Sequence, residues 1–212
     1  MSLLSFFQST PEKQIARLRK KVKEPHGDAA IREGAADKLF RMATPESLRA
    51  LLDRYTINVS PSTQDEREKS MVKSWLVDLG DRAVGPIIDF LKNERSVYWP
   101  VQILKEILAE EDFARELNSI LLYLWDNPPA TAFPKTQLIR SGEGLDSADL
   151  ISTVNKYLDD EDDDVRLAAI DFLIACREKD TREKLLEGYL DSERKLAIRL
   201  GAGCFAHFNF IP

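Results

Sequence analysis

The chain has 212 residues, of which 43% are hydrophobic and 31% charged, a balance that fits a folded, helix-rich protein and excludes an intrinsically disordered one. Its net charge of −6 disfavours general attachment to phosphate backbones. Cys176 and Cys204 cannot make a disulfide framework, and no apolar run reaches the roughly 18 residues of a membrane span.

In chain order, the apolar stretch Met1–Phe7 lacks the basic flank and small-residue cleavage site of a signal peptide, so the expected location is the cytoplasm. A first helix over about 11–24 opens with Thr10-Pro11 as cap and first residue. Residues 1–24 hold six basic side chains against Glu12 and Glu24, a local excess of +4, while the densest acidic run is 159–164. Asp28 caps a second helix containing Ile31, Ala35, Leu39 and Met42, and Thr44-Pro45 opens a third with Leu48, Leu51 and Leu52. A polar loop at 60–64 precedes a helix carrying Val72, Trp75 and Leu76, which Gly80 ends as a C′ glycine. Asp81 is expected to cap the next helix, with Pro86 tilting it. Further helices begin at Trp99-Pro100 and span 111–126, followed by an irregular unit at 127–146 with a short helix near 134–141. Helices at about 147–158, 163–177, 180–190 and 192–207 complete roughly six pairs in one continuous domain, 1–212.

The last two pairs repeat. Val165-Arg166-Leu167 matches Ile198-Arg199-Leu200 at an offset of 33, and Ala169 and Phe172 match Ala202 and Phe205. The helix at 163–177 is apolar nearly all round, so both of its sides need covering, as happens inside a stack of repeats. Asp163-Asp164-Val165-Arg166 followed by Ala169 and Leu173 resembles the HEAT-repeat signature, and Leu79–Ile88 resembles the turn and first helix of bacterial HEAT-like repeats. Over 75–108 and 147–208 the chain is similar to uncharacterised bacterial HEAT-repeat proteins. That resemblance implies an all-α fold, a right-handed α-solenoid of about six antiparallel helix pairs, with a scaffold or protein-binding role. It also implies a structural ladder between neighbouring repeats formed by Asp164, Arg166 and Arg199.

Catalytic chemistry finds no support in the residue pattern. Histidine occurs only as His26 and His207, and no nucleophile elbow or phosphate loop is present. Cys204 and His207, i and i+3 on one helix, could join Cys176 as three ligands. Free cysteines more often pack as small hydrophobes, so no metal or other cofactor is expected. Recurrent His-Glu pairs, as in HEAT-like di-iron hydroxylases, are missing, and nothing singles out a phycobilin lyase. HEAT-like DNA glycosylases need a basic groove, whereas the helix around Lys69 and Lys73 mixes these with Asp65, Glu66, Glu68 and Asp78. A protein partner on the inner face is therefore expected, anchored on Tyr98 and Trp99, with Arg140 and Arg199 next. Nucleic acid through 13–23 and peripheral membrane attachment through Leu3, Leu4, Phe6 and Phe7 are the alternatives. The aromatic tail Phe205, Phe208 and Phe210 either caps the stack or contacts a second copy as a homodimer.

Overall fold

A computed structural model describes residues 10–176, and among them every regular element is helical. None of these helices is long and apolar enough to cross a membrane. The chain divides after Ile107 into two compact units. The second helix pair of the repeat, with Arg199, Cys204, His207 and the aromatic tail, lies outside the described residues, as do Leu3, Leu4, Phe6 and Phe7.

In the first unit the helices are α1 (Pro11–Val22), α2 (Ala29–Met42), α3 (Pro45–Leu52), α4 (Ser62–Asp78), α5 (Asp81–Asn93) and α6 (Tyr98–Ile107). Their starts follow from local side-chain chemistry. Thr10 accepts from the Lys13 amide, Asp28 accepts from Ala30, and Thr44 and Ser47 form a reciprocal capping box. A 3₁₀ turn over Asp53–Thr56 leads from α3 toward α4. Gly80 closes α4 as expected, its amide donating to the Val77 carbonyl at 2.9 Å. The expected cap at Asp81 is corrected: Gly80 itself is the N-cap of α5, at φ 57 and ψ −135, and Asp81 is the first helical residue. One glycine thus ends one helix and starts the next, leaving no room for a separate capping side chain. Helix α5 continues through Pro86 to Asn93.

The six helices pack in two rows. Helix α1 contacts α3 and α3 contacts α5, while α2 contacts α4 and α4 contacts α6. Successive helices α1–α2, α2–α3 and α5–α6 also touch. The core between them is Leu39, Leu48, Leu51, Val72, Leu76, Ile87 and Phe90, all essentially inaccessible.

The second unit contains α7 (Glu110–Asp126), α8 (Phe133–Ser141), α9 (Ala148–Lys156) and α10 (Asp163–Ala175), with a 3₁₀ turn over Tyr157–Asp159. The same alternation holds: α7 packs on α9 and α8 on α10. The irregular stretch 127–146 is tightly used at its C-terminal end. A Cβ at Gly142 would stand 2.8 Å from Leu117 Cδ2 and 3.1 Å from Phe172 Cε2, so a side chain there would have to displace both where the end of α8 sits against α7 and α10. Helix α10 is buried on nearly all sides, through Val165, Ala168, Ala169, Phe172 and Leu173.

Candidate functional site

The candidate anchors lie at the start of α6, where they divide between interior and solvent. Trp99 is half-buried and stacks on Tyr55, with ring centroids 6.0 Å apart and 12° between planes. Tyr55 is held at both ends: its hydroxyl donates to the Lys69 carbonyl at 3.2 Å, and its own carbonyl accepts from Ser96 Oγ at 2.7 Å. Burial pushes the Tyr55 phenol well above its ordinary range, so it stays neutral and serves as a packing surface. Tyr98 stands edge-on to Trp99 at 5.6 Å and 84°, and 63% of it is exposed. The result is a graded aromatic column in which a fixed tyrosine supports a tryptophan that supports an accessible tyrosine. Such a column presents contact area with few rotamers left to freeze.

The other tryptophans pack within the units. Trp75 stacks on Phe40 at 5.2 Å, and Trp125 meets Tyr157 edge-on at 5.3 Å. Arg140, at the end of α8, is exposed, and its charge acts on Asp171, whose carboxyl burial nonetheless pushes up. It belongs to the second unit, whereas Tyr98 and Trp99 belong to the first. Of the residues assigned to a ladder, Arg166 is buried and engages Asp163 and the Asp160 carbonyl. Asp164 is exposed, and its amide donates to the capping Asp162 at 2.9 Å. Asp160 lies inside the acidic run but is buried, paired with Lys135 of α8 at 2.5 Å. His26 is exposed, Cys176 Sγ donates to the Leu145 carbonyl at 3.6 Å, and among the described residues no three potential ligands converge.

A buried ionic cluster lies in the first unit, among residues that no sequence motif singles out. Arg32, Arg54, Asp65, Glu68 and Lys69 are each less than a tenth exposed. Glu68 Oε1 accepts from Arg32 Nη2 at 2.6 Å and Gln64 Nε2 at 2.8 Å. Its Oε2 accepts from Arg32 Nε at 2.7 Å and Arg54 Nε at 2.8 Å. Arg54 also donates to Asp65 at 2.7 Å, and Lys69 reaches Asp65 at 2.6 Å and Asn58 at 2.7 Å. Burial alone would push the Glu68 carboxyl up. Hydrogen bonds from Arg32, Gln64 and Arg54, with the Arg54 charge, outweigh burial and hold it at about 2. Asp65 is likewise lowered, burial being overcome by Lys69, Arg54 and the Val59 amide.

This cluster joins α2 and the 53–56 turn to α4. The mixed signs that argued against a basic groove on α4 are thus, for Asp65, Glu68 and Lys69, interior pairs. A signal was present: Arg32 falls in register with Ala35, Ala36 and Leu39, and Glu68 and Lys69 with Val72 and Leu76, so the charges occupy core positions. A second hub is Asp53, fully buried, which accepts from Arg19 and from Arg49 Nη1 at 3.0 Å. Arg49 continues to Glu94 at 3.0 Å and lies over the Phe90 ring at 4.7 Å, tying α3 to α5. With every carboxylate oxygen of Glu68 occupied by a fixed donor, this chemistry orients helices. No protein-family model matches the chain, and no curated protein or solved structure matches it.

Proposed function

We propose that the chain is a non-catalytic protein-interaction module of the cytoplasm, built as a HEAT-like α-solenoid and gripping its partner through the Tyr98–Trp99 column. The observation that carries this reading is the 63% exposure of Tyr98 on a packed base, Trp99 being stacked on Tyr55, which is hydrogen-bonded at both ends. Interfaces favour such residues, because a rigid aromatic loses little conformational freedom on contact. The alternation of contacts, with odd helices on odd and even on even within each unit, supports the stacked-hairpin architecture. Affinity capture from the cells that make the protein, comparing wild type with Tyr98→Ala, tests the reading. A partner retained by wild type and lost with Tyr98→Ala is expected, and equal recovery by both would remove Tyr98 from the interface.

A nucleic-acid-binding reading draws on the exposed Lys13, Arg17, Lys20 and Lys21 of α1. It requires retention on DNA or RNA that weakens steeply with salt, and failure to bind at low salt would eliminate it.

A further inference from the structure

Helices α1 and α2 leave an open groove of about 230 Å³ on one side of their hairpin. Leu18, Ala30, Ile31 and Gly34 line it, together with Lys21 and Lys38. Three observations set it apart. Ile31, in the first turn of α2, is 55% exposed although α1 and α2 pack on each other. Gly34, the least favourable helix residue after proline, sits inside α2, yet a Cβ there would meet nothing within 4 Å. Packing among the described residues therefore does not require the glycine, but close approach of another backbone would use it.

The third observation is the pairing of the cations. On α1, Arg19 and Lys23 turn to the buried Asp53, and on α2 Arg32 turns to Glu68. Lys21 and Lys38, beside the apolar lining, have no carboxylate within 4 Å among the described residues; the same holds for Lys13, Arg17 and Lys20 elsewhere on α1, but only Lys21 and Lys38 line the groove. Two unmatched cations flank apolar surface in a chain whose overall charge is −6.

We propose that this groove docks an acidic amphipathic helix of a partner protein, its apolar side chains against Leu18 and Ile31 and its carboxylates on Lys21 and Lys38. The volume is below the range of small-molecule pockets, about 300–1,000 Å³, and suits one or two apolar anchors. Ala30 to Lys38 spans nine residues, roughly 12 Å or two turns, about the length that anchors at i and i+7 would cover. A phosphate backbone would satisfy the lysines but leave Ile31 uncovered. The surface is distinct from the Tyr98 column and does not depend on it.

The test uses the full chain and a fluorescein-labelled 14-residue peptide with leucines at i, i+3, i+4 and i+7 and glutamates at most other positions, followed by anisotropy. Saturable binding is expected, weakened at least ~10-fold by Lys21→Glu with Lys38→Glu and by Gly34→Phe, and unchanged by Tyr98→Ala. Each variant's helical circular dichroism is compared with wild type, and the lysine pair, being exposed, is the decisive one if Gly34→Phe perturbs folding. Equal binding of a scrambled peptide whose leucines share no face would overturn the proposal, as would absence of binding at millimolar peptide. Tighter binding of single-stranded DNA or of anionic vesicles than of the peptide at the same lysines would assign the groove to those ligands instead. Binding seen only after removal of residues 1–9 would assign it to that segment.

Discussion

Replacing Glu68 by Gln removes one negative charge from the centre of the buried cluster while keeping the side chain's size. In the wild type, Arg32, Arg54 and Lys69 share two carboxylates, Glu68 and Asp65. In the variant they share only Asp65, and the new amide N–H group must face guanidinium donors that formerly met an oxygen. Glu68 is 2% exposed and Arg54 1%, so water cannot replace the lost acceptor cheaply. Removing one partner of a buried pair costs about 3–5 kcal/mol, a large share of a typical total stability of about 5–15 kcal/mol.

The same carboxyl makes a pH prediction. Its native value is lowered from 4.5 to about 2, so between those limits the unfolded chain binds the proton and the folded chain does not. The stabilisation is fully present above pH 4.5 and is lost as pH falls toward 2. The shift corresponds to roughly 3 kcal/mol, or about 2 kcal/mol after a discount for solvent screening of the surrounding charges. Urea unfolding followed by circular dichroism at pH 7, 4.5 and 3 measures both effects. The gap between wild type and Glu68→Gln should be about 3 kcal/mol or more at pH 7 and should narrow below pH 4.5. A loss under about 1 kcal/mol at pH 7, or curves that stay parallel to pH 3, would refute the reasoning.

Two glycines should respond in opposite directions. Gly34→Ala, with nothing near its new methyl group, should raise stability by about 0.5–1 kcal/mol in thermal unfolding. Gly80→Ala forces a side chain into φ 57 and ψ −135 and should cost about 1–3 kcal/mol by the same measurement. Lys135→Met leaves the buried Asp160 without its cation and should cost about 2–3 kcal/mol in urea titrations. Adding Asp160→Asn should recover part of that loss, and strictly additive losses would show that the pair is uncoupled.

The helix starts at Thr10, Asp28 and Thr44, and the stop at Gly80, were legible because each depends on residues within one turn. Asp81 reads as a cap for the same local reason: an aspartate before an apolar run is a favourable cap, and only the one-residue turn gives that position to Gly80. The buried cluster was half legible. Arg32 and Glu68 stand in core register on their helices, but the contact joins residues 36 apart and needs the packing of α2 on α4. The start of α6 was recognised from Trp99-Pro100. That Trp99 turns toward Tyr55 while Tyr98 turns outward depends on a residue brought in from the 53–56 turn. The ladder rests on resemblance and reaches Arg199, outside the described residues; within them, Arg166 engages Asp163 and the Asp160 carbonyl, and Asp164 is exposed.

The interaction role is tested most directly by placing a photo-cross-linking phenylalanine analogue at position 98 in the full chain, in the cells that make it, with position 115 of the exposed Arg115 as control. The account predicts one dominant protein adduct from position 98, absent from position 115 and lost when Trp99→Ala removes the support beneath it. An adduct pattern identical at both positions, or one that survives Trp99→Ala unchanged, would contradict it.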